Sequence, residues 1–172
     1  MQDPTLAALA RFPQDLRAHY AVIPETHAAF EPASWDGIPS ERFGPLAQLW
    51  HVRDIELEGY HVRFRRTLQE DRPLLEDIDS YALAASRGVR GPAEQALGEF
   101  TRARADTIAL LTAVSPADFA RPPHFDGYGP TTLRGLVHFL CSHDQQHLAG
   151  LQWLAGQIDA ARAFLRASPQ PA

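Results

Sequence analysis

Apolar residues recur at three- and four-residue intervals along four stretches of this chain, and no stretch shows the strict alternation of a half-buried strand. The first stretch opens at Asp3-Pro4, an acceptor at the cap position followed by proline at the first helical position. It continues through Leu6, Leu9, Leu16, Tyr20 and Ile23. Pro13 lies inside it and predicts a kink or a split. Pro24 closes it, and Glu25 to Ser40 reads as a loop with Trp35 packed on the bundle. A second helix is predicted from Ser40 or Pro45 to about Glu70, on a stripe of Leu46, Leu49, Trp50, Leu57, Tyr60, Phe64 and Leu68. Ala47, His51, Ile55, Gly59 and Val62 form a weaker second stripe. Two apolar sides predict a helix covered on both, inside the bundle or at a subunit contact.

Arg72 to Gly91 lacks a strong helical period. Its length suits a crossover running along a bundle. The third helix follows Pro92, with Ala93, Leu97, Phe100, Arg104, Ile108 and Leu111 on one face. Ser115 to Asp118 reads as a short helical turn and Ala120 to Pro130 as a loop. The fourth helix runs from Thr131 to Leu154, with a pattern compatible with extension to Leu165 and a frayed tail at 167–172. Thr131 or Thr132 caps it. The sum is an all-α four-helix bundle with a long crossover between helices 2 and 3, read as one domain over 1–172.

Composition narrows the classes. The 172 residues are 45% apolar and carry a formal charge of −5. A packed core follows, and a basic nucleic-acid footprint is not expected. Cys141 is the only cysteine, so no internal disulfide forms and a reducing, cytoplasmic setting fits. The first residues show neither a signal peptide nor a membrane span.

The chemistry concentrates in helix four. His143 and His147 fall four apart on the stripe formed by Leu133, Leu136, Leu140, Leu151 and Leu154, which stacks them about 6 Å apart on one face. Buried imidazoles need partners, and a divalent ion serves both at once. A single core histidine is usually just hydrogen-bonded; two on one stripe favour a metal. The pair needs a third ligand from a facing helix. His51 has the richest surroundings, with Asp54, Glu56 and Glu58 close behind it and Glu58 seven residues on along the same face. His61 and His19 remain open by period alone. Asp144 is expected to accept a hydrogen bond from a neighbouring helix or from solvent, and Asp54, Glu58 and Asp144 are the supporting candidates around the ion. Cys141 points about 160° away from His143 and reads as a small buried apolar residue. His-Asp-Gln-Gln-His also resembles the H-E-x-x-H helix of metalloproteases. Asp144 is one methylene short for that base, and no further ligand follows.

The order Trp50-His51-Val52-Arg53-Asp54-Ile55-Glu56, then Arg63, the Glu70–Asp79 run, Ala103-Arg104-Ala105 and Thr132-Leu133-Arg134-Gly135-Leu136 leading to His143 and His147 resembles the DinB-like family of metalloenzymes across 44–154. The resemblance implies a four-helix bundle, often a homodimer, and one divalent ion, zinc or nickel, held by His51, His143 and His147 with one side open. It also implies a small-molecule substrate and transfer of a low-molecular-weight thiol cosubstrate. The alternatives are a non-catalytic metal- or ligand-binding bundle, closed at the fourth position by a carboxylate such as Glu58, and a metal-dependent hydrolase. Arg63, Asp71 and Asp79 match the family pattern without an assigned role.

Overall fold

The computed structural model describes residues 3–167, with side chains to 164. The frayed tail expected at 167–172 lies almost wholly outside that range. Four long helical segments form the bundle. α1 spans Pro4–Tyr20. The predicted second helix is built as α2 (Pro45–Asp54), a π-helical segment (Ile55–Tyr60) and α3 (His61–Gln69) without interruption. After a short α4 (Ser80–Arg87) come α5 (Ala93–Ala113) and α6 (Leu133–Ala167). α1 packs on α5 and α6, and α2 packs on the same two helices.

Caps follow the residue chemistry. Asp3 accepts a 2.9 Å bond from the Thr5 amide, and Thr132 accepts one of 3.0 Å from Gly135. Pro13 does not split α1, which runs on through it with the flanking Leu9, Phe12 and Leu16 buried against the other helices. Packing of the apolar face outweighs the lost backbone bond.

The crossover carries more structure than its composition predicts. α4 forms within it because Asp79 caps the amides of Tyr81 and Ala82 at 3.0 and 2.9 Å. β1 (Leu74–Leu75) pairs in parallel with β2 (His124–Phe125), which pairs antiparallel with β3 (Gly129–Pro130). These two-residue strands are too short for any alternation to show in the sequence. They staple the crossover to the loop before α6, and Leu75 and Phe125 point into the core.

That core is divided. One apolar cluster gathers Leu9, Phe64, Leu111, Leu136 and Leu140; the other gathers Phe12, Leu49, Phe100, Leu151 and Ile158. Along α6, His143, Asp144 and His147 fall between the residues of the two clusters. Along α5, Arg104 and Thr107 do the same. A buried polar layer therefore crosses the middle of the bundle. The second stripe of helix two enters this interior: His51, Ile55 and Gly59 are buried within the chain, and only Ala47 and Val62 are exposed. No described helix is long and apolar enough to cross a membrane.

Candidate metal centre

Three imidazoles converge in the polar layer. Nε2 of His143 lies 3.2 Å from Nε2 of His51 and 3.2 Å from Nε2 of His147. A fourth group joins them from the loop before α2: Glu41 places Oε2 3.1 Å from His147 Nε2 and Oε1 3.6 Å from His51 Nε2. The four ligand atoms all lie within 4.8 Å of one another. Nitrogens bound to one tetrahedral ion at about 2.0–2.1 Å sit about 3.3–3.4 Å apart, so the observed spacing suits a single small cation.

Each ligand atom is aimed by its surroundings. His147 donates from Nδ1 to Gln48 Oε1 at 2.7 Å, which turns its Nε2 toward the other ligand atoms. The Gln48 amide nitrogen donates to Ser40 Oγ at 3.0 Å and to the Phe43 carbonyl at 3.3 Å. One side chain thus fixes a ring on α6 and the loop bearing Glu41. Gly150 makes this approach possible, since a Cβ there would collide with Ser40 and Gln48. Phe43 lies against the His51 ring with centroids 5.1 Å apart, and Tyr81 of α4 accepts a 3.0 Å bond from the Arg42 amide.

Electrostatics favour a cation at the centre. Burial, then the neighbouring His147, pulls the His51 pKa down to about 3, against the pull of Glu41 and Asp54 in the other direction. Burial, then His147 and His51, likewise hold His143 well below the usual imidazole range. Burial raises the Glu41 carboxyl, but the hydrogen bond at His147 and the field of His51 and His147 outweigh it and bring it to about 2. Lone pairs on His51 and His143 and an ionised carboxylate surround one buried point. His143 Nδ1 has no hydrogen-bond partner among the described residues. The donor set fits a divalent ion.

Beside the cluster, Arg104 lies fully buried between Glu56 and Asp144. It reaches Glu56 at 2.9 Å twice and Asp144 at 2.6 and 3.0 Å. Its guanidinium also rests over the Phe12 and Phe100 rings, at 5.3 and 5.0 Å. One guanidinium faces two carboxylates, and burial pushes the Asp144 carboxyl up to about 7 despite Arg104. Asp144 thus meets α5, as expected, and not the imidazoles. Asp54 is held by Arg53 and by both terminal nitrogens of Arg90. It acts on His51 through its field.

Glu58 is a correction. Its seven-residue spacing from His51 implies a shared face only in an α-helix. The π segment at Ile55–Tyr60 widens the turn and rotates Glu58 outward, where it pairs with Arg87. Glu41, in a loop that no helical period reaches, occupies the place Glu58 was expected to fill. His61 serves a structural purpose, bonding Thr107 at 2.9 Å and the Ala103 carbonyl at 3.0 Å. His19 contacts the Asp15 carbonyl and Gln152.

A cavity of about 340 Å³ opens next to the cluster, and Glu41 and His143 form part of its wall. Tyr60, Phe125, Tyr128 and Phe139 give it an aromatic lining. Along a larger surface groove of about 700 Å³ between α1 and α5 the described residues form no cluster of ligating groups.

Bundle, histidine cluster and adjoining cavity together define a helical-bundle protein with a candidate metal centre. The chain belongs to the DinB superfamily, whose family model matches residues 8–151. Among solved structures it is similar to YfiT from Bacillus subtilis, with a TM-score of 0.75 and 17% identity over 91% of this chain and 87% of that one. YfiT is described as "a probable metal-dependent hydrolase with an unusual four-helix bundle topology". At that identity the likeness establishes the fold. No curated protein matches the chain.

Proposed function

We propose that this protein is a metal-dependent enzyme that holds one divalent ion through His51, His143 and His147, with Glu41 as a fourth ligand, and acts on a small molecule in the adjoining cavity. The convergence of three Nε2 atoms and one carboxylate within 4.8 Å carries this reading. An ion bound there supplies Lewis acidity and lowers the pKa of a water or thiol that reaches it.

The chain's own residues do the rest. Glu41 brings a negative charge that offsets the cation, on a loop and a partly exposed side chain that a substrate group can displace. Gln48 fixes the tautomer of His147. The Arg104 triad clamps α6 beside His143. Burial keeps the Tyr60 phenol protonated, so it presents a hydroxyl donor at the cavity wall.

Two reactions suit this arrangement. Hydrolysis of a small substrate agrees with what YfiT is described as doing, and a 340 Å³ cavity holds one modest ligand. Transfer of a low-molecular-weight thiol is the reading the sequence resemblance favours, and it requires thiol and electrophile to share the cavity and its mouth. Assaying zinc- and nickel-loaded protein on a panel of small esters, amides and electrophiles, with and without glutathione, separates them. Metal-dependent turnover without thiol supports hydrolysis; turnover only with thiol supports transfer. Absence of both across the panel, with metal bound, favours the non-catalytic module.

A further inference from the structure

Among the described residues two arginines are buried, and they are compensated very differently. Arg104 is met by two carboxylates. Arg63, on α3, has a side chain only 6% exposed, yet its one carboxylate neighbour is the exposed Asp77, at 3.3 Å. Its Nη2 also donates to the Glu76 carbonyl at 3.1 Å. Its Nε is buried with no hydrogen-bond partner among the described residues. A buried cation with a free donor is costly, by more than a neutral group in the same position. Burial accordingly pulls the Arg63 pKa down.

The rings around it do not supply the missing acceptor. The guanidinium lies 4.3 Å from the Phe125 ring centroid and 5.2 Å from that of Tyr60, contacts that hold its plane and leave Nε without an acceptor. Arg63, Tyr60 and Phe125 line the same 340 Å³ cavity as His143. The cavity therefore has a candidate metal centre in one part of its wall, a fixed cation in another and aromatic faces besides.

We propose that Arg63 is the carboxylate-recognising residue of this cavity, and that the substrate is a small molecule with a carboxylate and an apolar body of about the size of an aromatic ring. The inference rests on the cavity being the substrate site. A planar carboxylate matches the edge of a guanidinium. A phosphate dianion would leave a second charge facing Asp77 with only this one arginine to meet it.

Calorimetric titration of the full chain, zinc-loaded and metal-free, with phenylacetate, phenylacetamide and inorganic phosphate tests this. Phenylacetate is expected to bind about tenfold or more tightly than phenylacetamide in both forms, as charge-assisted hydrogen bonds imply. Phosphate is expected not to displace it. Arg63→Met should bring acid and amide to equal affinity by weakening the acid far more than the amide, and Asp77→Asn should tighten phenylacetate more than the amide. Equal binding of acid and amide by the wild type overturns the proposal, as does a preference that survives Arg63→Met or competition by phosphate. If Arg63→Met does not fold, Asp77→Asn decides, and unchanged phenylacetate affinity there counts against it. An acid preference that depends on zinc and ignores Arg63 sinks this inference and spares the metal centre. A preference kept by protein that binds no ion does the reverse.

Discussion

Gln48 and His147 share a 2.7 Å hydrogen bond in which the ring donates, and this bond determines which imidazole nitrogen is left to face Glu41 and the other histidines. Gln48→Leu removes the acceptor while keeping bulk. Zinc affinity, read by competition with a chromophoric chelator, is expected to fall about 10–100-fold, the usual cost of losing a histidine's orienting partner. Unchanged affinity would mean that His147 needs no such support.

His143 brings its Nε2 within 3.2 Å of the Nε2 atoms of both other rings, so its loss should do most harm. His143→Ala, purified without a histidine tag, is expected to carry far less than one ion per chain by elemental analysis, where the wild type carries one. Equal metal in the two proteins would remove the basis of the proposed function.

Glu41→Gln keeps the shape of the fourth ligand and removes its charge. Affinity is expected to drop by about tenfold with the stoichiometry still one, because three neutral imidazoles retain the ion. Loss of all binding would show that the carboxylate is indispensable and the site closed.

Acid should weaken the metal-free fold. His51 and His143 have folded pKa values below the unfolded value of about 6.5, so the unfolded chain takes up protons that the folded chain refuses. Stability is then fully present above that value and lost as pH falls below it, by about 2 kcal/mol for His51 at pH 5. Glu41 acts in the same direction below its unfolded value of about 4.5, with the loss continuing to about pH 2. Asp144, raised to about 7, binds its proton more readily when folded and offsets part of the loss between about pH 7 and 4. Urea unfolding of chelator-treated protein at pH 7.5 and 5 should show the lower midpoint at pH 5. A higher midpoint at pH 5 would mean that the gain at Asp144 exceeds the loss at the imidazoles.

Arg104→Met leaves Glu56 and Asp144 facing each other in the core. A destabilisation of about 3–5 kcal/mol is expected from chemical denaturation. Adding Glu56→Gln and Asp144→Asn to the same protein should recover part of it, since the repulsion goes with the charges. No recovery would indicate that packing against Phe12 and Phe100, rather than charge, is what Arg104 contributes.

Helical period revealed the bundle, the facing of His143 and His147, and the candidacy of His51, because each of these depends on spacing within one helix or on a strong local context. Glu41 was beyond its reach: a loop has no period, and the residue is brought in by contacts through Ser40, Phe43 and Gln48. Glu58 was misplaced because a π segment has the same composition as an α-helix and differs only in the turn. Arg104 stood on the apolar stripe of helix three in plain view. Its phase among Phe100 and Leu111 was the available sign that a cation lay buried opposite Glu56 and Asp144.

The wide turn between Asp54 and His61 also fixes how two halves of one rod are phased. Each residue advances an α-helix by about 100°. Deleting a single residue there would let the wide turn close into an ordinary α turn, leaving His51 and Arg63 in phase and turning Glu58 back toward the interior. The extra residue thus keeps a carboxylate out of the polar layer and leaves it paired with Arg87 at the surface.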